Sequence, residues 1–114
     1  MSAIYGTNLA TDGLEILFDP NNPGSYPGSG DSIFDLSGNS RTGTLYGSPS
    51  FSANYMNFDG SNDYVKLPDM SYLDDFSFSA WFKIDSRNYW ERIFDFGKGG
   101  QGDVFLTTMG GRTG

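Results

Sequence analysis

The chain has no cysteine and no histidine among its 114 residues. The first absence removes disulfides and thiolate metal sites. The second removes imidazole ligands and imidazole acid–base chemistry, so nitrogen-ligand zinc centres are excluded. Together they eliminate Ser-His-Asp and Cys-His nucleophile systems. Glutamate is nearly missing as well, with only Glu15 and Glu91, far apart in sequence. That leaves no evident carboxylate pair for hydrolysing a glycosidic bond. Basic residues are scarce, 7 against 14 acidic ones, for a net charge of −7. Such a surface repels phosphate backbones, which argues against nucleic acid as a partner. No apolar run approaches the ~20 residues needed to span a bilayer, so membrane insertion is not expected. The start, Met-Ser-Ala-Ile-Tyr-Gly, lacks a basic n-region and an apolar h-region, so no signal peptide is visible.

What the chain does have is aromatic side chains, 10 Phe, 7 Tyr and 2 Trp, together with 16 Gly. That mixture suits short strands joined by tight turns. The clearest pattern is Phe76-Ser77-Phe78-Ser79-Ala80-Trp81-Phe82-Lys83-Ile84. Apolar residues at 76, 78, 80, 82 and 84 share one face at a period of two. The alternation predicts a long strand in the middle of a sheet, its Phe face on a core. Trp81, on the mixed face, reads as second-layer core in preference to a groove-lining residue.

Other segments follow the same logic. Gly13-Leu14-Glu15-Ile16-Leu17-Phe18-Asp19 alternates and is closed by Pro20, which cannot donate to a ladder. Residues 21–30, rich in Pro, Gly and Asn, read as an ordered surface loop. It serves as a connection in the simpler reading, or as a rim offering Tyr26 for contact. Short strands are expected at 42–46, 50–52, 55–58, 64–67 and 104–108, and residues 89–96 begin with an aromatic pair and become a strand. The turn Asp59-Gly60-Ser61-Asn62-Asp63 is expected to join 55–58 and 64–67 as a hairpin. No segment carries a helical apolar stripe of useful length. The whole of 1–114 is read as a single all-β domain, an antiparallel β-sandwich.

Two stretches carry candidate chemistry on their own residues. Asp59, Ser61 or Asn62, and Asp63 bring oxygen side chains together in one turn, a donor set that suits calcium. The alternative is a turn whose Asp and Asn side chains bond their own backbone. Tyr64 and Met70 stand where an EF-hand needs glycine and glutamate, so that motif is excluded. Tyr89 and Trp90 form an aromatic pair able to stack on a sugar ring, with Glu91 and Arg92 beside them for hydrogen bonds. The alternative is that Trp90 packs over the sandwich end or into a subunit interface.

Four stretches, in order, resemble the laminin-G-like, concanavalin-A-like jelly-roll domains of bacterial secreted and phage structural proteins. They are Asn22-Pro23-Gly24-Ser25-Tyr26-Pro27-Gly28-Ser29-Gly30, and Asp35-Leu36-Ser37-Gly38-Asn39 with Gly43-Thr44-Leu45. The others are Phe58-Asp59-Gly60-Ser61-Asn62-Asp63-Tyr64-Val65, and residues 76–82 with Arg92-Ile93-Phe94-Asp95-Phe96-Gly97. The chain departs from the pattern at Ile33-Phe34, where the family has a Trp-Tyr pair. It also stops at a strand near the family's midpoint. The resemblance therefore implies a jelly roll incomplete in one chain, either a fragment or a sandwich completed by oligomerisation. Exposed edges and apolar faces in such a half-built sandwich favour a homo-oligomer.

The resemblance also implies loop ligands for calcium or sugar in the Gly-rich segment 97–103, at Gln101 and Asp103. A flexible hairpin loop is the alternative there. No Glu-x-Asp-x-x-Glu strand, the mark of sandwich-fold glucanases, is present. The expectation is a non-catalytic module binding carbohydrate or a cell surface, assisted by calcium at Asp59, Asn62 and Asp63. A structural or assembly role in a phage particle or surface fibre is the alternative. An extracellular or virion-associated location goes with either.

Overall fold

The computed structural model describes residues 11–52, 54–70, 75–86, 91–97 and 104–107. Seven strands occur among them: β1 (Ser32–Ile33), β2 (Gly43–Tyr46), β3 (Ser50–Ser52), β4 (Tyr55–Asn57), β5 (Tyr64–Lys66), β6 (Arg92–Phe96) and β7 (Val104–Thr107). All pair antiparallel, in a three-stranded sheet ordered β1-β2-β5 and two hairpins, β3-β4 and β6-β7. The described residues contain no helix, and hence none long and apolar enough to cross a membrane. The all-β, antiparallel fold class is as the periodicity predicts.

The chain divides into two compact units, Met1–Asp74 and Asp75–Gly114. In the first unit, the register Leu45↔Val65 and Ile33↔Gly43 puts Ile33, Leu45 and Val65 on one face of the β1-β2-β5 sheet. Ile33 (2% exposed), Leu45 and Tyr26 form the buried centre, and Phe18, Phe51, Met56 and Val65 pack around it. Phe51 and Met56 are cross-strand partners, so the β3-β4 hairpin lays its apolar side on the sheet's core face. This is a small two-sheet core, stabilised mainly by apolar area removed from water. Gly43 is required by its closeness to the core. A Cβ there would lie 2.8 Å from Val65 Cγ1 and 2.9 Å from Ile33 Cγ2.

Residues 21–30 are neither a plain connection nor a rim that exposes Tyr26. Successive bonds from Asn22 N to Asp19 O and from Ser25 N and Tyr26 N to Asn22 O, each 2.9 Å, wind the loop inward. Ser25 is fully buried; its Oγ accepts from Asp19 N (3.1 Å) and donates to Phe34 O (2.7 Å). Tyr26 meets the Phe51 ring edge-on at 5.7 Å. The turn formers deliver a core residue because the loop satisfies its own backbone groups.

Three expectations need correction. Residues 13–19 form no strand; the segment is held as an extended strap, by Leu17 N to Asp35 Oδ1 and Leu36 N to Leu17 O, each 2.9 Å. The hairpin expected across 59–63 does not form. β4 pairs with β3 through the tight turn at Asn54 (φ +75°), and β5 pairs with β2. The nearer partner closes the shorter loop, and Val65 finds its apolar partner in Leu45. Lastly, residues 76–84 make no ladder among the described residues.

In the second unit the aromatic residues of 76–84 meet β6 as rings only. Phe78 lies 4.2 Å from Phe94 and Phe76 5.1 Å from Phe96, ring centre to ring centre. β6 and β7 pair with a bulge between Arg92 and Phe94. Arg92 sits 4.7 Å over the Phe105 ring and pairs with Asp95.

Candidate functional site

The β1-β2-β5 sheet has a second face, opposite its core. The register Ser32↔Thr44↔Lys66 and Tyr46↔Tyr64 sends all five of these side chains to it. Tyr46 and Tyr64 are exposed and stacked, with centroids 4.8 Å apart and planes within 7°. A groove of about 790 Å³ beside Tyr46 takes residues from both faces of the sheet: Thr44 and Tyr46 from the outer face, Leu45 and Tyr26 from the core, with Gly30, Asp31, Gly47, Ser48 and Pro49. Its polar side-chain groups are the Asp31 carboxylate and the hydroxyls of Thr44, Ser48, Tyr26 and Tyr46, and its apolar surface comes from the two tyrosine rings, Leu45 and Pro49. Two-faced aromatic and polar lining is what a small polar ligand with an apolar side requires. None of this was foreseeable before β5 was paired with β2, since Tyr46 and Tyr64 lie far apart in sequence.

The turn at 59–63 lies at the same end of the sheet, leading into β5. Asp59 Oδ1 accepts from Ser61 N (2.8 Å) and Asn62 N (3.4 Å), and Asp63 Oδ2 accepts from Asp59 N (2.9 Å). This is the backbone-bonding arrangement weighed against calcium. Asp63 Oδ1 is buried without a hydrogen-bond partner, against Gly47. Among the described residues, Asp59 Oδ2 and the side-chain amide of Asn62 make no hydrogen bond either. Hard-oxygen donors thus remain at the turn after its internal bonds are made, and their chemistry fits calcium. They number fewer than a complete shell, and no group of three carboxylates converges among the described residues.

Asp35 is the polar hub of the first unit. Oδ1 accepts from Leu17 N (2.9 Å) and Ser37 N (2.8 Å); Oδ2 accepts from Ser37 Oγ (2.7 Å) and Arg41 N (3.2 Å). Burial by itself pushes this carboxyl up. The Ser37 hydroxyl and the N–H groups of Ser37, Leu17 and Arg41 outweigh that and hold its pKa below the ordinary aspartate value. Around it, Asn39 Nδ2 donates to Leu14 O (2.9 Å) and Glu15 O (3.1 Å), and Arg41 donates to Glu15 O (2.7 Å) and pairs with the Glu15 carboxylate. The Asp-Leu-Ser-Gly-Asn run is therefore a clasp that holds the strap 14–17 onto the sheet. It is structural; nothing in it faces the groove.

Of the residues expected to bind ligand, Tyr89, Trp90, Gln101 and Asp103 lie outside the described residues. Asp59, Asn62 and Asp63 share one turn, as expected. Trp81 is not core: it is fully exposed, at 102%. Alternation in 76–84 shows which side chains would share a face, but the segment forms no ladder among the described residues, and none of those residues covers Trp81. Replacing Trp81 by alanine should therefore change stability by less than about 0.5 kcal/mol. In a Trp90→Phe background, Trp81 fluorescence should be fully open to acrylamide. A protected, blue-shifted Trp81 would contradict its placement.

A family model for the concanavalin A-like lectin/glucanases superfamily matches residues 59–113. No curated protein and no solved structure matches the chain. The matched stretch begins in the turn that holds Asp59 and Asp63 and runs on through β5, β6 and β7, all of them antiparallel. Over residues 59–113 the chain is therefore similar to the concanavalin A-like lectin/glucanases superfamily.

Proposed function

We propose that the chain is a non-catalytic carbohydrate-binding module. The observation that carries this is the stacked, exposed Tyr46–Tyr64 pair beside a groove lined by Asp31, Thr44 and Ser48. The similarity of residues 59–113, Tyr64 among them, to a superfamily described as lectins and glucanases supports it. Hydrolysis of a glycosidic bond needs two carboxyl groups across the scissile bond. Asp31 is the one carboxylate lining the groove. Tyr89, Trp90, Gln101 and Asp103 belong to the proposal as further contacts, on the sequence argument alone. An extracellular or virion-associated setting, where glycans are met, goes with it.

The test is retention by a panel of immobilised polysaccharides, with reducing ends assayed in the same samples. Retention without release of reducing sugar is the expected result. Retention by none overturns the module, and release of sugar overturns the non-catalytic reading. Calcium is part of the proposal through Asp59 Oδ2, Asp63 Oδ1 and Asn62. Millimolar calcium should raise the melting temperature of EDTA-treated protein, and Asp63→Asn should abolish the shift. Identical melting in both conditions rules calcium out.

A second reading is favoured by a different observation. In the second unit Phe76, Phe78, Trp81, Phe82, Ile84, Val104, Phe105 and Leu106 are all exposed. So large an apolar share on one small unit suits protein contacts, as in a homo-oligomeric structural or assembly component. Light scattering at micromolar concentration should then give a mass above 12.5 kDa. A clean monomer removes this reading.

A further inference from the structure

We infer that the strap 13–19 takes one further antiparallel strand along its open edge, supplied by residues 76–84 of a second copy of this chain. The inference rests on the homo-oligomeric reading above and gives that reading its two contact segments and their register.

Backbone groups of successive residues in an extended segment point to opposite edges. On one edge of the strap the odd residues bond to their own chain. Glu15 O accepts from Asn39 Nδ2 (3.1 Å) and Arg41 (2.7 Å), and Asp19 N donates to Ser25 Oγ (3.1 Å). Between them, Leu17 N donates to Asp35 Oδ1 and Leu17 O accepts from Leu36 N, each at 2.9 Å. The other edge carries the N–H and C=O groups of Ile16 and Phe18. Among the described residues none of these four groups makes a hydrogen bond. Free donors and acceptors at i and i+2 are what an added strand pairs with. The clasp already holds the strap extended, so little ordering is left to be done on that side.

Residues 76–84 supply the match. They have a strand's alternation, are exposed throughout, and make neither a ladder nor a backbone hydrogen bond among the described residues. Residues opposite one another in an antiparallel pair share a face, so Ile16 and Phe18 take the apolar, even positions of 76–84. Charge then selects the register. Ile16 opposite Phe82 and Phe18 opposite Ala80 puts Lys83 across from Glu15 and the exposed Trp81 across from Leu17. It also sets the smallest apolar residue of the segment against the bulk of Phe18. Sliding by one pleat in one direction brings Asp85 against Glu15; in the other, Lys83 faces Gly13 and no carboxylate. The present partner of Lys83 is Asp85 at 3.2 Å, a largely exposed pair that is readily exchanged. A second strap fits worse, because Ile16 paired with Phe18 in both directions sets Glu15 against Asp19 twice, in a protein of net charge −7. Each chain has one open edge and one free strand, so two copies exchanging both make a two-fold dimer.

Disulfide crosslinking reads this register directly, since the chain has no cysteine of its own. Leu17 and Trp81 would form a non-hydrogen-bonded pair, the kind whose side chains come closest. Mixed under mild oxidation, Leu17→Cys and Trp81→Cys proteins should give about tenfold more mixed disulfide than Leu17→Cys with Ser77→Cys, which lies out of register. Lys83→Glu should weaken the dimer about tenfold in light scattering, and Lys83→Arg by no more than about threefold. Ile16→Pro removes an N–H that the clasp does not use and should abolish the dimer. Because Ile16→Pro has the greater risk of misfolding, Lys83→Glu supplies an independent readout at an exposed position. Trp81, open to acrylamide in the separate chain, should become protected as concentration rises. A dimer indifferent to Lys83→Glu and Ile16→Pro, with no preference between the two cysteine mixtures, would overturn this contact and leave the homo-oligomer standing. A disulfide formed only inside a chain carrying both Leu17→Cys and Trp81→Cys would overturn the second copy as the source of the strand. A clean monomer at micromolar concentration would overturn both the inference and the reading beneath it.

Discussion

Asp35→Ala should be the most destabilising single change in the first unit, lowering unfolding free energy by about 3 kcal/mol. The ionised carboxylate accepts four hydrogen bonds, from Leu17 N, Ser37 N, Ser37 Oγ and Arg41 N. Net values of about 1.5–3 kcal/mol attach to hydrogen bonds made to a charged group, and bonds to one shared carboxylate do not add in full. Asp35→Asn should cost nearly as much. Whichever way its amide turns, one side places an NH₂ against donors that need an acceptor. Urea unfolding followed by tyrosine fluorescence reads both. A loss below about 1 kcal/mol for either variant would contradict the role of Asp35 as a hub.

The same residue fixes a pH dependence. Its folded pKa is held below the ordinary value of about 3.9, so folding favours the ionised form. The stabilisation is fully present above the unfolded carboxyl's pKa. It is lost as pH falls below that value and through the lower folded one. Stability of the intact protein should therefore drop more steeply below about pH 4 than that of Asp35→Asn, which has nothing to protonate there. Parallel acid limbs for the two proteins would contradict it.

Gly47→Ala should rank next, at about 3 kcal/mol. Gly47 has φ +83°, a region costing roughly 1–2 kcal/mol for a residue with a Cβ. Its Cβ would also overlap Asp63 Oδ1 and lie 2.5 Å from Asn62 O and 2.7 Å from that carbonyl carbon. The last two are backbone atoms and cannot swing away, so β2 and β5 would have to part at Tyr46 and Tyr64. Gly60→Ala is the control. Its φ is positive as well, at +75°, but a Cβ there meets nothing within 4 Å, so only the backbone cost of roughly 1–2 kcal/mol applies. Equal losses from the two substitutions would show that the Gly47 contact with the turn is not made.

Much of the fold is legible from alternation and turn residues. β2, β3, β4, β5, β6 and β7 each fall within an apolar–polar run bounded by Gly, Pro, Asn or Asp. Pairing is harder to read, because alternation gives a strand its two faces but not its neighbour. Residues 59–63 look like a hairpin turn since two strand-like runs flank them, yet Val65 finds its partner in Leu45. The same limit explains 76–84, where the pattern is strict and the ladder is missing among the described residues. Asp35 escaped notice because its partners include Leu17, 18 residues earlier, in a strap whose extended form depends on that bond. The groove was illegible for a related reason. Tyr46, Tyr64, Gly30 and Asp31 come together only through the β1-β2-β5 order.

One spectrum tests the carbohydrate site most directly. Tyrosine-ring resonances of the labelled protein can be followed while oligosaccharides from a polysaccharide that retains it are added. A sugar stacked on the free face of Tyr46 predicts saturable shifts at Tyr46, with smaller ones relayed to Tyr64, while Tyr55 stays still. Shifts confined to other tyrosines, or none at saturating sugar, would contradict a carbohydrate site on the outer face of this sheet.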